Sequence, residues 1–170
     1  MGSSRIEPSS HPWWCVRDVA PQGEDPGRDA IYQHYGQPIH LPVAEHPNKP
    51  IELKRCCYAR FDDRSRDYHI DVDVNKYGFT LTEQEASHLA SRVRSLAAGT
   101  GDEEPFALHH TPSETLTTYQ MTTEPLNGGP GERKVVIMGG GTVFVFTTAE
   151  ADKFADELEF LSADLQRDRI

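Results

Sequence analysis

The chain has 170 residues and a formal net charge of −10, with 36% of its residues hydrophobic and 26% charged. The acidic balance argues against a nucleic-acid-binding surface, because contacts to phosphates need clustered Lys and Arg. No apolar run approaches the roughly 18 residues that predict a membrane span. No basic segment is followed by an apolar one, so we expect no signal peptide. Three cysteines are too few for a disulfide framework in a chain of this length. We therefore expect a soluble, cytoplasmic protein.

The first 50 residues predict a loop-rich N-terminal arm. Eight of the twelve prolines lie there, and no window keeps a period of 2 or 3.6 residues for long. Residues 37–43 alternate enough to form a short edge strand. Trp13 and Trp14 are large aromatic residues in a polar, proline-rich setting, where such side chains seldom stay in water. We expect these two residues either to cap the core or to bind a partner.

Residues 51–100 predict a first β-β-β-α unit. Strands are expected over residues 51–61 and 68–74, followed by a turn at 75–78 and a return strand to residue 81. Thr82 and Glu85 match a capping box, which predicts that a helix begins there. Apolar residues at helical spacing predict the buried face of this helix, and Gly99 its end. The predicted buried face consists of Ala86, Leu89, Ala90, Val93, Leu96 and Ala97.

Residues 101–112 read as a linker, and residues 113–170 predict a second β-β-β-α unit. Strands are expected over residues 116–123, 134–138 and 142–146, with a glycine turn at 139–141. Thr147 and Glu150 match a second capping box. The helix that follows again carries apolar residues at helical spacing. Its predicted buried face consists of Ala151, Phe154, Ala155, Leu158, Leu161 and Leu165.

The two units repeat one another about 65 residues apart. Aligning them superposes Phe79 on Phe144 and the first capping box on the second. This self-similarity predicts an internal duplication. A single unit of this size has too small a core to be stable alone. We therefore predict an α+β fold in which the two units share one antiparallel sheet or pack about a pseudo-twofold axis.

The residues Pro12 to Cys15, the histidines His34 and His40, and the segment 81–90 carry a resemblance to known proteins. The chain resembles a family of small actinobacterial and actinophage proteins of unknown function, with a Pro-x-Trp-Cys start and a Leu-Thr-x-x-Glu-Ala-x-x-Leu-Ala helix. The resemblance covers roughly residues 11–98 and implies origin and fold. The hairpin–helix unit is also similar to the dimerisation domain of a mycobacterial nucleoid protein, which implies that such units can pair.

Zinc is the candidate cofactor. Cys15, His34, His40 and Cys56 supply the thiolate and imidazole ligands that zinc prefers. A bound ion would order an N-terminal region that lacks a core of its own. The spacing includes no C-x-x-C pair, so surface histidines and a buried Cys15 are the alternative interpretation.

A catalytic set receives less support from the sequence. Cys57, His69 and Asp71 lie on neighbouring predicted strands, and a nucleophilic enzyme needs a cysteine or serine near a histidine and a carboxylate. No family signature surrounds these residues. We therefore assign no catalytic residues and expect a protein that is not an enzyme.

The sequence favours a non-enzymatic protein-binding or regulatory protein, and the resemblance allows a phage-encoded one. Trp13, Trp14, Tyr32 and Tyr35 place aromatic side chains in the arm, and such residues often dominate binding energy. One alternative is an acidic inhibitor that covers a basic site on a host protein. Another is a small zinc-binding protein. The expected partner is a protein, a second copy included, rather than nucleic acid or membrane.

Overall fold

A computed structural model describes residues 12–19, 31–44, 46–60, 66–100, 103–111, 115–125 and 133–167. Within these ranges the chain forms ten β-strands and two α-helices, so the predicted α+β class is confirmed. Neither described helix is long and apolar enough to cross a membrane. The elements are β1 (Cys15–Val19), β2 (Ile31–Gly36), β3 (Ile39–Val43), β4 (His46–Arg60), β5 (Arg66–Val74), β6 (Tyr77–Leu81), α1 (Glu83–Ala97), β7 (Phe106–Thr111), β8 (Thr115–Pro125), β9 (Arg133–Gly139), β10 (Thr142–Thr147) and α2 (Thr148–Arg167).

All described strands pair antiparallel in one sheet, in the order β1-β2-β4-β5-β6-β7-β8-β9-β10. The long strand β4 pairs with β2 along its second half and with β3 along its first half. Strand β8 pairs with β7 over residues 115–119 and with β9 over residues 120–125. The predicted large antiparallel sheet is therefore confirmed, whereas duplication and pseudo-twofold packing stay predictions.

The N-terminal region differs from the arm expected from sequence, because β1, β2 and β3 all belong to the sheet. Only β3 follows the short strand predicted at residues 37–43. Strand β7 likewise lies within the predicted linker at 101–112. Strands β2 and β7 each also pair with a segment further away in the chain, as Ile31 does with Arg60 and His109 with Thr80. Such long-range pairing leaves little trace in local periodicity.

The hairpins β5–β6 and β9–β10 have the same construction. Each is closed by a two-residue turn with positive φ at both positions: 53° at Asn75, 71° at Lys76, 58° at Gly140 and 79° at Gly141. Turns of this kind match the right-handed twist of the flanking strands. In both hairpins the phenylalanines aligned from sequence, Phe79 and Phe144, occupy corresponding positions in the register.

Both helices begin at the predicted capping boxes. The Thr82 hydroxyl accepts from the Glu85 amide at 3.2 Å, and the Glu85 carboxylate accepts from the Thr82 amide at 2.9 Å. Thr147 and Glu150 repeat both bonds at the same distances. The second Glu150 oxygen also accepts from the amide of Ala44 at 2.8 Å, which connects the end of β3 to the start of α2. Capping of this type contributes about 1 kcal/mol per helix.

The helices pack against each other and against one face of the sheet, where they enclose a single core. The predicted buried positions of both helices are confirmed. Phe79 lies in edge-to-face contact with both Tyr119 and Phe144, so the two hairpins share aromatic packing. A buried ion pair joins Arg55 of β4 to Asp164 of α2 at 2.5 Å. The segments predicted as two units therefore form one packed body.

Candidate functional site

The site lies on the opposite side of the sheet, which we call the helix-free face. No described helix packs against this face, and because side chains alternate along a strand, every second residue points towards it. On β4 and β5 it carries a group that we call the polar cluster: Cys56, His69 and Asp71. These three side chains are buried, with exposed fractions of 0%, 7% and 9%. Buried titratable groups on a sheet face without helices call for a physical explanation.

The strand register brings the polar cluster together. Cys56 stands opposite His69, and Asp71 stands opposite Thr80 on β6. The Cys56 thiol donates to Asp71 Oδ2 at 3.2 Å, and the Thr80 hydroxyl donates to Asp71 Oδ1 at 3.1 Å. His69 Nε2 lies 3.6 Å from Asp71 Oδ1. The Asp71 carboxylate is therefore the centre of the arrangement.

The electrostatics of the cluster favour neutral or compensated groups. Burial, together with the Asp71 carboxylate, raises the pKa of the Cys56 thiol well above its usual value, so the thiol keeps its proton. Burial and then the same carboxylate raise the pKa of Asp73 to about 6. Asp73 Oδ1 is buried and has no hydrogen-bond partner among the described residues. Negative charge is therefore held here at a free-energy cost.

A cavity of about 530 Å³ lies beside the cluster. His69 and Thr80 contribute to its wall, together with Tyr58, whose ring lies 4.5 Å from the imidazole of His69. His109 on β7 stands opposite Thr80 in the register and also lines the cavity. A small ligand that enters from solvent therefore reaches the imidazole.

The four predicted zinc ligands do not surround one centre. Cys15 Sγ and His34 Nδ1 are 3.5 Å apart, and His34 is buried. His34 stands opposite Cys57 in the register, whereas its neighbour Tyr35 stands opposite Cys56, so His34 and Cys56 project from opposite faces. His40 is exposed and lies 3.4 Å from a carboxylate oxygen of Glu52. The structure thus brings Cys15 and His34 together and places Cys56 in a different group.

The catalytic set that the sequence suggested contains the wrong cysteine, Cys57, beside His69 and Asp71. Cys57 is fully buried in the core on the helix side, and Cys56 is the thiol near His69 and Asp71. The available signal was the strict alternation over residues 68–74, which places both polar side chains on one face. The Cys56 thiol donates to a carboxylate, which is not the thiol–imidazole contact of a cysteine nucleophile.

The four predicted partner-binding aromatics occupy different environments. Trp14 is 3% exposed and belongs to the core, whereas Trp13 is 62% exposed, with the Arg55 guanidinium 5.3 Å from its ring centroid. Tyr35 is half-buried on the helix-free face. Tyr32 lies in β2, and its side chain is outside the described residues. Of the described members, only Trp13 offers a largely exposed ring.

The helix-free face changes character over β8, β9 and β10. Apart from Glu124 and Lys134, its outward side chains there are uncharged, and the largest apolar ones are exposed: Leu116 by 63%, Met138 by 48% and Val143 by 40%. A Glu124–Lys134 ion pair at 3.6 Å borders this surface. We call it the apolar patch, and it consists of Leu116, Thr118, Gln120, Thr122, Val136, Met138, Val143 and Val145.

No protein-family model matches the chain, and neither a curated protein nor a solved structure matches it. The polar cluster and the apolar patch are therefore interpreted from their own geometry and chemistry.

Proposed function

We propose that the protein is a non-enzymatic protein-binding protein and that its partner packs against the apolar patch. The observation that carries this proposal is the exposure of Leu116, Met138 and Val143 on one face of a chain with a net charge of −10. Met138 and Val143 adjoin each other and the pair Val136–Val145, whereas Leu116 lies further along β8. Adjoining exposed apolar side chains of this kind are typical of interaction sites. The centres of protein interfaces are depleted in charge and enriched in methionine.

The composition of the patch defines the chemistry of the partner. Because none of its side chains is charged, ionic attraction contributes little, and the partner must offer an uncharged, largely apolar protein surface. Burial of an exposed Leu, Met or Val side chain contributes about 1.5–3 kcal/mol in favourable cases. Met138 lies between Val143 on β10 and Gln120 on β8, and its flexible thioether can adapt to such a surface.

Trp13 offers a separate contact that is not part of the apolar patch, because Arg55, which pairs with Asp164 of α2, holds its ring on the helix side of the sheet. Its exposed ring is held beside Arg55, which limits its freedom before binding. Trp14 has a structural role instead, because it is buried in the core. Trp13→Ala is therefore expected to weaken partner binding without loss of stability. Trp14→Ala is expected to lower stability by about 3–5 kcal/mol, as for other buried large aromatics.

The experiment compares three full-length proteins: the wild type, a Met138→Glu/Val143→Glu double variant and a Phe160→Glu control. Phe160 is 56% exposed on α2, so the control adds charge at an exposed apolar residue outside the patch. A protein captured by the wild type from a lysate of the source organism is identified, purified and titrated against all three. Thermal unfolding confirms that each variant is folded.

We expect the double variant to bind at least about 10-fold more weakly than the wild type, since two charges in an apolar contact add well over 1.4 kcal/mol. The control should bind like the wild type, and affinity should change little between low and high salt. Equal binding by all three proteins contradicts the proposal. Steep loss of affinity with salt favours the acidic-inhibitor alternative instead.

A further inference from the structure

We propose that Cys56, His69 and Asp71 form a zinc-binding site on the helix-free face, a property separate from partner binding. The three ligand atoms, one from each side chain, lie within 4.8 Å of one another, and all three side chains are buried. Among the described residues, these three form the one group of Cys, His and acidic side chains whose ligand atoms lie close enough together to hold a metal ion. It shares only Cys56 with the set expected from sequence.

The distances suit a tetrahedral ion. Zinc lies about 2.3 Å from sulfur and about 2.0–2.2 Å from nitrogen and oxygen, which places neighbouring ligand atoms roughly 3.4–3.6 Å apart. Cys56 Sγ lies 3.2 Å from Asp71 Oδ2, and His69 Nε2 lies 3.6 Å from the other oxygen of the same carboxylate, Asp71 Oδ1. With one atom taken from each side chain, the separations lie within 4.8 Å, so the side chains must rotate to bring three ligand atoms onto one ion.

The chemistry of the ligands selects the metal. On binding, zinc would displace the proton of the Cys56 thiol to solvent. The resulting thiolate and the imidazole suit zinc and disfavour magnesium and calcium, which prefer oxygen ligands only. A zinc ion would also compensate the negative charge that Asp71 and Asp73 place in a buried position. Lys54 stands opposite Asp71 in the register and already offsets part of this charge, although its ammonium lies 3.7 Å from a Glu52 oxygen and 5.0 Å from the ring centroid of Tyr35.

Neighbouring residues orient the ligands. The Thr80 hydroxyl donates to Asp71 Oδ1 and fixes the plane of the carboxylate, while the Tyr58 ring restrains the imidazole of His69. Groups of this kind surround natural metal sites and contribute to affinity. Three protein ligands leave the fourth tetrahedral position to water or to a ligand. The 530 Å³ cavity lined by His69 and Thr80 provides the path to that position.

The test is a titration of the full-length, chelator-treated protein with zinc chloride, with a phosphine as the reductant. The wild type is compared with Cys56→Ser, His69→Gln and Thr80→Val. Cys15→Ser is the matched control, because it removes a thiol that also lies within 3.5 Å of a histidine. Circular dichroism and thermal unfolding of every metal-free variant show whether it is folded.

We expect one zinc ion per chain in the wild type. Loss of a ligand in Cys56→Ser or His69→Gln should weaken binding by at least about 100-fold, and Thr80→Val by about 10–100-fold, the range known for orienting groups. Cys15→Ser should bind like the wild type. Absence of zinc binding by the wild type overturns the proposal, as does loss of binding in Cys15→Ser with retention in the folded ligand variants. If one ligand variant does not fold, the wild type and the remaining ligand variant decide.

Discussion

The hairpins β5–β6 and β9–β10 share their register but present different chemistry on the helix-free face. Asp71 and Thr80 face one another on the first hairpin, and Val136 and Val145 occupy the corresponding places on the second. Next to the first hairpin, Cys56 stands opposite His69. The corresponding pair next to the second hairpin is Glu124 and Lys134, which form an ion pair. The inner faces of both hairpins remain apolar and buried. The shared core therefore restricts the inner residues, while the outer residues are free to carry separate functions.

The largest expected effect tests whether both hairpins depend on one core. Phe79→Ala and Phe144→Ala should each lower the free energy of unfolding by about 3–5 kcal/mol, because both rings are fully buried. Their centroids are 5.3 Å apart, so the double variant should lose less than the sum of the two single losses. Urea unfolding of the four proteins measures this. Additive losses would mean that the hairpins are stabilised independently.

The next prediction concerns the ion pair that connects β4, in the first predicted unit, to α2, in the second. Asp164→Ala should lower the free energy of unfolding by about 3–5 kcal/mol, because it leaves the Arg55 guanidinium buried without its carboxylate. Asp156→Ala is the matched control on the same helix. Asp156 pairs with Arg94 but its side chain is 71% exposed, so we expect a change below about 1 kcal/mol in chemical denaturation. Similar losses in the two variants would contradict a tightly joined pair of units.

A smaller effect distinguishes Asp73 from Met138, which occupies the corresponding position of the second hairpin. Burial raises the pKa of folded Asp73 to about 6 from the ordinary value of 3.8, so the folded state holds its proton more tightly than the unfolded state. The ionised carboxylate therefore destabilises the metal-free protein above pH 6, and this penalty disappears as the pH falls towards 4. Because the side chain is partly exposed, we expect Asp73→Asn to gain only about 1–2 kcal/mol at pH 7.

Urea unfolding of the wild type and Asp73→Asn at several pH values between 7 and 4 checks this prediction. The difference between the two proteins isolates Asp73 from the other titrating groups. Met138→Leu serves as the control and should show no pH-dependent difference from the wild type. An advantage of Asp73→Asn that stays constant over this range would show that the pKa of the carboxyl is not raised.

The smallest effect compares the two turns. Lys76 has a φ of 71°, a conformation that costs a residue with a Cβ about 1 kcal/mol. Lys76→Gly should therefore stabilise the protein by a few tenths of a kcal/mol to about 1 kcal/mol, and Gly141→Lys should destabilise it by a similar amount. Space is not limiting at Gly141, where an added Cβ meets no atom within 4 Å. Thermal unfolding measures both shifts, and equal signs would contradict the equivalence of the turns.

The elements predicted well were those with strong local signals. Two capping boxes and continuous helical spacing fixed the starts and buried faces of α1 and α2, as with Thr82 and Glu85. The positive-φ turns followed from short polar or glycine segments between alternating strands. By contrast, the residues of β1, β2 and β7 do not alternate clearly, and β2 and β7 each depend in part on a strand further away in the chain, β4 and β6 respectively.

The polar cluster was only partly accessible from sequence. The alternation around His69 and Asp71 placed both residues on one face, but the choice between Cys56 and Cys57 depends on the register of β4 against β5. Adjacent cysteines point to opposite faces, so a shift of one residue exchanges them. The cysteines and histidines of the N-terminal region instead predicted a zinc site that includes Cys15 and His34. These two residues lie close together on the helix side of the sheet.

We propose that the polar cluster binds metal and that the apolar patch binds a partner. The most direct test of the metal site is an absorption spectrum of the full-length protein with Co²⁺ in place of zinc. A thiolate ligand in a tetrahedral site gives a sulfur-to-cobalt charge-transfer band and intense visible bands. We predict both in the wild type, in Cys15→Ser and in the Met138→Glu/Val143→Glu variant, and neither in Cys56→Ser. Absence of these bands from the wild type, or their loss in Cys15→Ser alone, would contradict the assignment of the polar cluster as the metal site.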